Sequence, residues 1–172
     1  MAKQFYSAIL NGLRNERGVH AETAIAAAGR LAGTCLLRSL KLPIDTMEPG
    51  RAVFSDLANE RGPALVDLLA GVLGQMGIGV DVGRSQGAAE AAAKPQLTVA
   101  ETQTRLEPTL DQIRRSHQLT HEESAHAAVI AAAMFIRDCA SVLGTDAGFG
   151  IAVYGLVEGS KTVPARWVDR ER

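Results

Sequence analysis

The chain has 172 residues, enough for one domain whose core needs no disulfide or metal to hold it together. Its net charge is −1, its pI is about 6.4 and it has no run of lysine and arginine, which argues against a nucleic-acid-binding protein. Hydrophobic residues make up 47% of the chain but aromatic residues only 4%. The core must therefore be built from Ala, Leu, Val and Ile, a composition that favours closely packed helices.

The N-terminus and the apolar runs predict a soluble, cytoplasmic protein without membrane contact. The N-terminal sequence MAKQFYSAIL lacks the apolar segment of a signal peptide. The longest uninterrupted apolar run, residues 127–136, is about half of the roughly 20 residues that span a bilayer. Cys35 and Cys139 lie in apolar stretches and two cysteines make no disulfide framework, so we expect buried, reduced thiols.

Hydrophobic spacing and helix-breaking residues predict an all-α protein, a single-domain bundle of about six or seven helices around one buried helix. The predicted helices cover about residues 2–17, 20–41, 51–61, 64–76, 98–116, 120–143 and, with a strand as the open alternative, 149–158. Gly18, Pro43 and the Gly62-Pro63 pair are expected to end or separate helices. Pro108 predicts a kink or break within its helix.

Two segments are expected to lie between or after the helices. Residues 77–95 are rich in glycine and alanine, which predicts either a short helix or a flexible connection. Residues 160–172 predict an extended C-terminal tail that carries Trp167, the one tryptophan of the chain. The helical domain therefore covers residues 1–159.

The stretch 120–143 is predicted to be the central, buried helix. Thr120 followed by Glu123 has the spacing of a capping box, which marks a helix N-terminus. From residue 125 to residue 136 the only polar residue is His126, and a helix that is apolar nearly all round belongs in a protein interior. We therefore expect His126 to be a core histidine with a hydrogen-bonded partner.

The helix at 20–41 is predicted to be the closest partner of that central helix. Its residues are mostly Ala, Leu, Ile, Gly and Cys, and its polar residues fall on one narrow stripe. The stripe consists of Thr23, Arg30, Thr34, Arg38 and Lys41. Glu107 and Asp111, four residues apart in a later helix, have the spacing of carboxylates on a solvated helix face, and we expect them there.

The tetrapeptide NERG occurs twice, at residues 15–18 and 59–62, and internal duplication and chance both explain so short a repeat. If consecutive helices run up and down with short loops, both NERG turns and the turn at 116–120 lie at one end of the bundle. That end would gather a polar cluster made of Glu16, Arg17, His20, Glu60, Arg61, His117, His121 and Glu122.

A divalent-metal site at this end is the sharpest chemical hypothesis. His117 and His121 are four residues apart and Glu122 follows, and two imidazoles with a carboxylate can share a metal ion. The spacing is not that of HExxH, however, and a helix boundary falls between the two histidines. The alternative is a polar turn with a capping box and no cofactor. The glycines at 77–83 have neither the spacing nor the preceding strand of a dinucleotide loop.

Two functions from different classes follow. The first is a non-enzymatic helical protein that acts through protein–protein contacts as a homo-oligomer, with Gly155, Gly159 and Trp167 at an interface. Glycines one turn apart allow close helix contact within the chain or across a dimer, and a tail with one aromatic anchor docks on a partner or on its own chain. The second is a metal-dependent, hydrolase-like enzyme with its site at the polar end. No small-molecule ligand is indicated.

Overall fold

The computed structural model describes residues 1–166 and is all-helical in that range, which confirms the predicted all-α bundle. Its helices are α1 (Ala2–Leu13), α2 (Ala21–Ser39), α3 (Asp56–Gln75), α4 (Val82–Ala91), α5 (Val99–Ser116), α6 (His121–Leu143) and α7 (Thr145–Ser160). A short 3-10 turn at Ile44–Thr46 lies between α2 and α3. The segment at 149–158 belongs to a helix, and the strand alternative is excluded.

α2 and α6 lie at the centre of the bundle. Every residue of α2 from Thr23 to Leu37 is buried. The most extensive contact of α6 is with α2, as predicted. The two helices run antiparallel, because Cys35 and His121 line one cavity whereas Glu22, near the start of α2, lies close to Cys139. The core is therefore built around two alanine-rich helices and not around α6 alone.

α7 packs against α2 so closely that their backbones touch. A Cβ atom added at Gly33 would come within 2.1 Å of the Leu156 carbonyl oxygen, and one at Gly159 within 2.0 Å of the Arg30 carbonyl oxygen. Gly155 faces the same backbone from the next turn of α7. The sequence left open whether Gly155 and Gly159 make contact within the chain or across a dimer, and contact within the chain is the one observed. The surface of α7 at these two glycines is therefore already covered by α2.

Gly62-Pro63 does not separate two helices, contrary to prediction, and of the kink or break predicted at Pro108 the break does not occur. Ser55 caps α3 by accepting a hydrogen bond from the Ala58 N–H, and the helix then runs through Pro63. The inward stripe continues on both sides of the exposed proline and consists of Ala58, Leu65, Leu69 and Leu73. Burial of this stripe outweighs the one backbone hydrogen bond that proline cannot make. α5 likewise continues past the exposed Pro108.

α1 ends earlier than the predicted Gly18. The chain turns at the first NERG sequence, where the Asn15 N–H donates to the Gly18 carbonyl at 3.0 Å and the Asn15 side chain accepts from the Arg17 N–H at 2.9 Å. Asparagine side chains compete with helical hydrogen bonds in this way, so the helix stops at Leu13.

Within residues 77–95, the short-helix alternative is the one observed, as α4. Asp81 caps it by accepting a hydrogen bond from the Arg84 N–H. α4 packs on α7 at Gly150, where an added Cβ would lie 2.3 Å from the Ser85 carbonyl oxygen. The absent side chain at Gly150 thus lets a weakly hydrophobic helix dock.

α6 begins at the predicted capping box: the Thr120 hydroxyl accepts from the Glu123 N–H at 3.1 Å, and the Glu123 carboxylate accepts from the Thr120 N–H at 2.7 Å. Gly144, at φ 83°, ends α6 and starts α7 in a left-handed conformation that favours glycine. His126 is exposed, contrary to prediction. It lies on the exposed side of the helix with Glu122 and Glu123, whereas the alanines on either side of it, Ala125 and Ala127, are buried.

Within residues 1–166, α6 is also the one helix long and apolar enough to cross a membrane by length and composition, with a mean hydropathy of 1.5 over its best window. Core helices of soluble proteins meet the same criterion. About half of that window, 44%, is buried inside the bundle, and α1, α2, α3 and α7 all pack against the helix.

The C-terminal segment, which we define as residues 161–166, pairs with residues 50–53 of the same chain. The Val53 N–H donates to the Lys161 carbonyl at 2.8 Å, and the Val163 N–H donates to the Arg51 carbonyl at 2.9 Å. Val163 is 1% exposed. The first part of the predicted extended tail therefore docks on its own chain, whereas Trp167 lies outside the described residues.

Candidate functional site

The residues predicted to form one polar cluster lie near opposite ends of α2. Glu16, Arg17 and His20 belong to the turn that precedes α2. The turn between α5 and α6, with His121, lies instead beside Cys35, about 20 Å further along α2 at about 1.5 Å per residue. The up-and-down arrangement does not apply because the second NERG sequence lies inside α3 and forms no turn.

Two members of the predicted cluster do meet. The Arg61 guanidinium lies 3.8 Å from the Glu122 carboxylate, with Glu60 next to it on α3. Both side chains of the ion pair are more than half exposed, and such pairs contribute at most about 1 kcal/mol. His20 makes local contacts, through Nδ1 to the Thr23 hydroxyl at 2.8 Å and through Nε2 to the Glu22 carboxylate at 3.3 Å. These contacts stabilise helix ends and assemble no site.

The predicted metal ligands are not arranged to bind a metal. In residues 1–166 no group of three or more His, Cys, Asp or Glu side chains is placed to hold a metal ion. His117 is exposed at the end of α5, whereas His121, partly buried at the start of α6, lines a small cavity. The two histidines belong to different helices, separated by a turn with Gln118 at φ 54°, so their spacing of four does not bring the rings together. The metal-dependent enzyme therefore gains no support here.

The polar stripe of α2 forms a row of contacts with α5 in the interior. Arg30, Thr34 and Arg38 of α2 face Thr102, Gln103 and Glu107 of α5, and we call these six residues the polar row. The Gln103 amide donates to the Thr34 hydroxyl at 3.0 Å, and the Arg38 guanidinium donates to the Glu107 carboxylate. The three α2 residues are spaced one helical turn apart and lie on one face of the helix, and their partners follow in the same order along α5.

The polar row also contacts α7 and the C-terminal segment. Arg30, only 6% exposed, donates through Nε to the Glu158 carboxylate at 2.7 Å. Gln103 donates to the Thr162 carbonyl at 3.3 Å, and Arg38 donates to the Ala165 carbonyl at 3.2 Å. A buried charge needs such partners, and here the partners tie three parts of the chain together.

A small cavity lies at the Glu107 end of the polar row, between α2, α5 and the first turn of α6. It measures about 10 Å³, room for about one water molecule. Its polar lining consists of Cys35, Glu107, Asp111, Arg114, His121 and Ser124. Among the described residues, Glu107 Oε2 and Gln103 Oε1 are the buried side-chain atoms without a hydrogen-bond partner.

Burial changes the pKa values of three groups around this cavity. Burial raises the pKa of Glu107 to about 7, although Arg38 lowers it. Burial, followed by the nearby Arg114 guanidinium, lowers the pKa of His121. Burial and the Glu107 carboxylate raise the pKa of Cys35 to about 12. At neutral pH the imidazole is therefore uncharged and the thiol stays protonated, so the cluster can exchange a proton but offers no thiolate nucleophile.

Glu107, like His126, does not lie where the sequence predicts. The predicted position is a solvated helix face shared with Asp111, but Glu107 is 4% exposed. Asp111 in turn binds Arg114 and Arg115, each at 2.7 Å. The sequence feature that indicates a buried acceptor such as Glu107 lies in α2. A polar stripe with two arginines in an otherwise apolar helix requires hydrogen-bond acceptors on a neighbouring helix.

Comparison of the chain with protein-family models, with curated proteins and with solved structures finds no match. A function must therefore be argued from the chain's own geometry.

Proposed function

We propose that the protein acts through protein–protein contacts as a homo-oligomer, with a second copy packed on an apolar surface along α7. The observation that carries this proposal is a set of large apolar side chains left in solvent. Tyr154 is 66% and Val157 42% exposed on α7, and Phe54 is 91% and Leu57 44% exposed at the start of α3. We call these four residues the α7 surface.

The fold leaves this surface open between two covered regions. Residues 150, 154, 157 and 161 lie on one face of α7 by helical spacing. α4 covers this face at Gly150, and residues 50–53 pair with the backbone at Lys161. Tyr154 and Val157 stay uncovered between these contacts, and Phe54 directly follows the paired Val53.

The chemistry of the surface favours a second copy of the chain. Exposed apolar patches mark interaction sites, and aromatic residues are enriched at the centres of interfaces. The chain has only seven aromatic residues, and two of them, Phe54 and Tyr154, are exposed here. The net charge of −1 means that two copies repel each other little.

The interface residues predicted from the sequence do not belong to the proposed α7 surface. Gly155 and Gly159 are covered by α2 of the same chain, so a second copy does not use them. Trp167 lies outside the described residues and carries no part of the argument.

Sedimentation velocity over a range of concentrations tests the proposal. The double variant Tyr154→Ser, Val157→Ser should weaken self-association at least about tenfold, because it removes the centre of the apolar surface. Val142→Ser is the matched control, since Val142 is 84% exposed at the end of α6, before α7 begins. Equal association of the double variant and the unmodified protein would contradict the proposal, and so would an equal loss in the control.

A further inference from the structure

Glu107 has a buried carboxyl group with one oxygen paired and one unpaired. Oε1 accepts from Arg38, whereas Oε2 has no partner among the described residues and the side chain lines the small cavity. We propose that Glu107 is a proton-binding site, and that loss of its proton loosens the C-terminal segment (residues 161–166) from α2 and α5. The proposal does not require self-association.

The charges around Glu107 leave Arg38 as its direct counter-ion among the described residues. The groups that face it are Cys35 and Arg38 from α2, Asp111 and Arg114 from α5, and His121 from α6. Asp111 is bound by Arg114 and Arg115, and Arg114 also donates to the Leu119 carbonyl at 3.0 Å. Neither Cys35 nor His121 is charged at neutral pH, as their pKa shifts indicate.

Proton loss changes what the unpaired oxygen requires. In the neutral carboxyl, Oε2 carries the proton and no charge, and Oε1 still accepts from Arg38. The ionised carboxylate holds charge on Oε2 with no donor, which is costly in the interior. A water molecule in the cavity, which has room for about one, can donate a hydrogen bond to Oε2. Separation of α5 from α2 would likewise expose the charge to water.

The same helices hold the C-terminal segment. Gln103 of α5 donates to the Thr162 carbonyl, and Arg38 of α2 donates to the Ala165 carbonyl. When α5 moves away, Gln103 leaves the first carbonyl, and when Arg38 follows the hydrated carboxylate it leaves the second. The segment is therefore held most firmly when Glu107 is neutral.

The direction of the pH dependence follows from burial. The pKa of Glu107 is raised from 4.5 to about 7 in the folded protein. The stabilisation from the bound proton is therefore fully present below pH 4.5, declines as the pH rises and is lost above about 7. Between pH 6 and pH 8 the opening equilibrium of the segment should change about tenfold, the equivalent of one pKa unit.

Hydrogen exchange of the backbone amides of Val53 and Val163 reports this opening, because both donate across the paired segments. After correction for intrinsic exchange rates, their protection should be about tenfold higher at pH 6 than at pH 8, relative to amides of α1. Glu107→Gln keeps an acceptor for Arg38 and cannot ionise, so its protection should be high at both pH values. The proposal would be overturned if protection of these amides did not depend on pH in the unmodified protein. It would also be overturned if protection in the variant changed with pH as it does in the unmodified protein.

A second measurement does not depend on the folding of the variant. Carbon-13 NMR of the unmodified protein with labelled glutamate should show one side-chain carboxyl that titrates near pH 7, well above the usual range for glutamate. Titration of every glutamate carboxyl below about pH 5 would also overturn the proposal.

Discussion

Gly33 sets the distance between α2 and α7, because any side chain there meets backbone atoms and not a flexible neighbour. Gly33→Ala would place a Cβ 2.1 Å from the Leu156 carbonyl oxygen, and we expect a loss of about 3 kcal/mol in the free energy of unfolding. Gly71→Ala is the control, since Gly71 lies on the exposed side of α3 with nothing within 4 Å. It should stabilise by about 0.5–1 kcal/mol. Urea unfolding of the two variants measures both effects, and equal effects would contradict the close packing.

The two cysteines should differ in reactivity with thiol reagents because they differ in burial. Cys35 is buried and its pKa is raised to about 12, whereas Cys139 is only partly buried. With a thiol reagent at pH 8, Cys139 should react at least about tenfold faster, and Cys35 should react only on unfolding. Cys139→Ser and Cys35→Ser separate the two signals. Fast labelling of the native Cys139→Ser variant would show that Cys35 is accessible.

At the scale of elements, the capping boxes decide where α5 and α6 begin. At the start of α6, the side chains of Thr120 and Glu123 each accept a hydrogen bond from the backbone N–H of the other residue. Thr98 and Glu101 do the same at the start of α5. Thr120→Ala should cost about 1 kcal/mol of unfolding free energy. Thr104→Ala is the control, because Thr104 is exposed inside α5, and it should change stability by less than about 0.5 kcal/mol. An equal loss in both variants, measured by urea unfolding, would show that the cap contributes nothing specific.

Helices whose local sequence features all agree could be predicted from the sequence. The capping box and apolar run of α6 point to the same boundaries, and the structure has them. α3 shows the limit, because Gly62-Pro63 favours a break while the stripe through Leu65, Leu69 and Leu73 favours one helix. The energy of burial, which depends on the neighbouring helices, decides between these signals and cannot be read from the local sequence.

At the scale of the molecule, topology is what the sequence did not reveal. The predicted polar cluster depended on strict alternation of helix directions, but α7 runs parallel to α2, since Gly29 meets Ala152 and Gly33 meets Leu156. The polar row was likewise hidden, because its α5 residues are distant in sequence from its α2 residues. The polar stripe of α2 indicated that partners were needed but not which residues supply them.

The proposed homo-oligomer follows from the same view of the whole molecule. α2, α6 and the glycine contacts complete a core within one chain, and the four apolar side chains of the α7 surface remain in solvent. Association should therefore join folded chains and not complete an unfinished core.

Size-exclusion chromatography with light scattering on the unmodified protein tests this proposal most directly. One chain has a mass of 18.2 kDa, and the α7 surface predicts a species of at least twice that mass whose share grows with concentration. A mass of 18.2 kDa at every concentration up to the limit of solubility would contradict the proposed self-association.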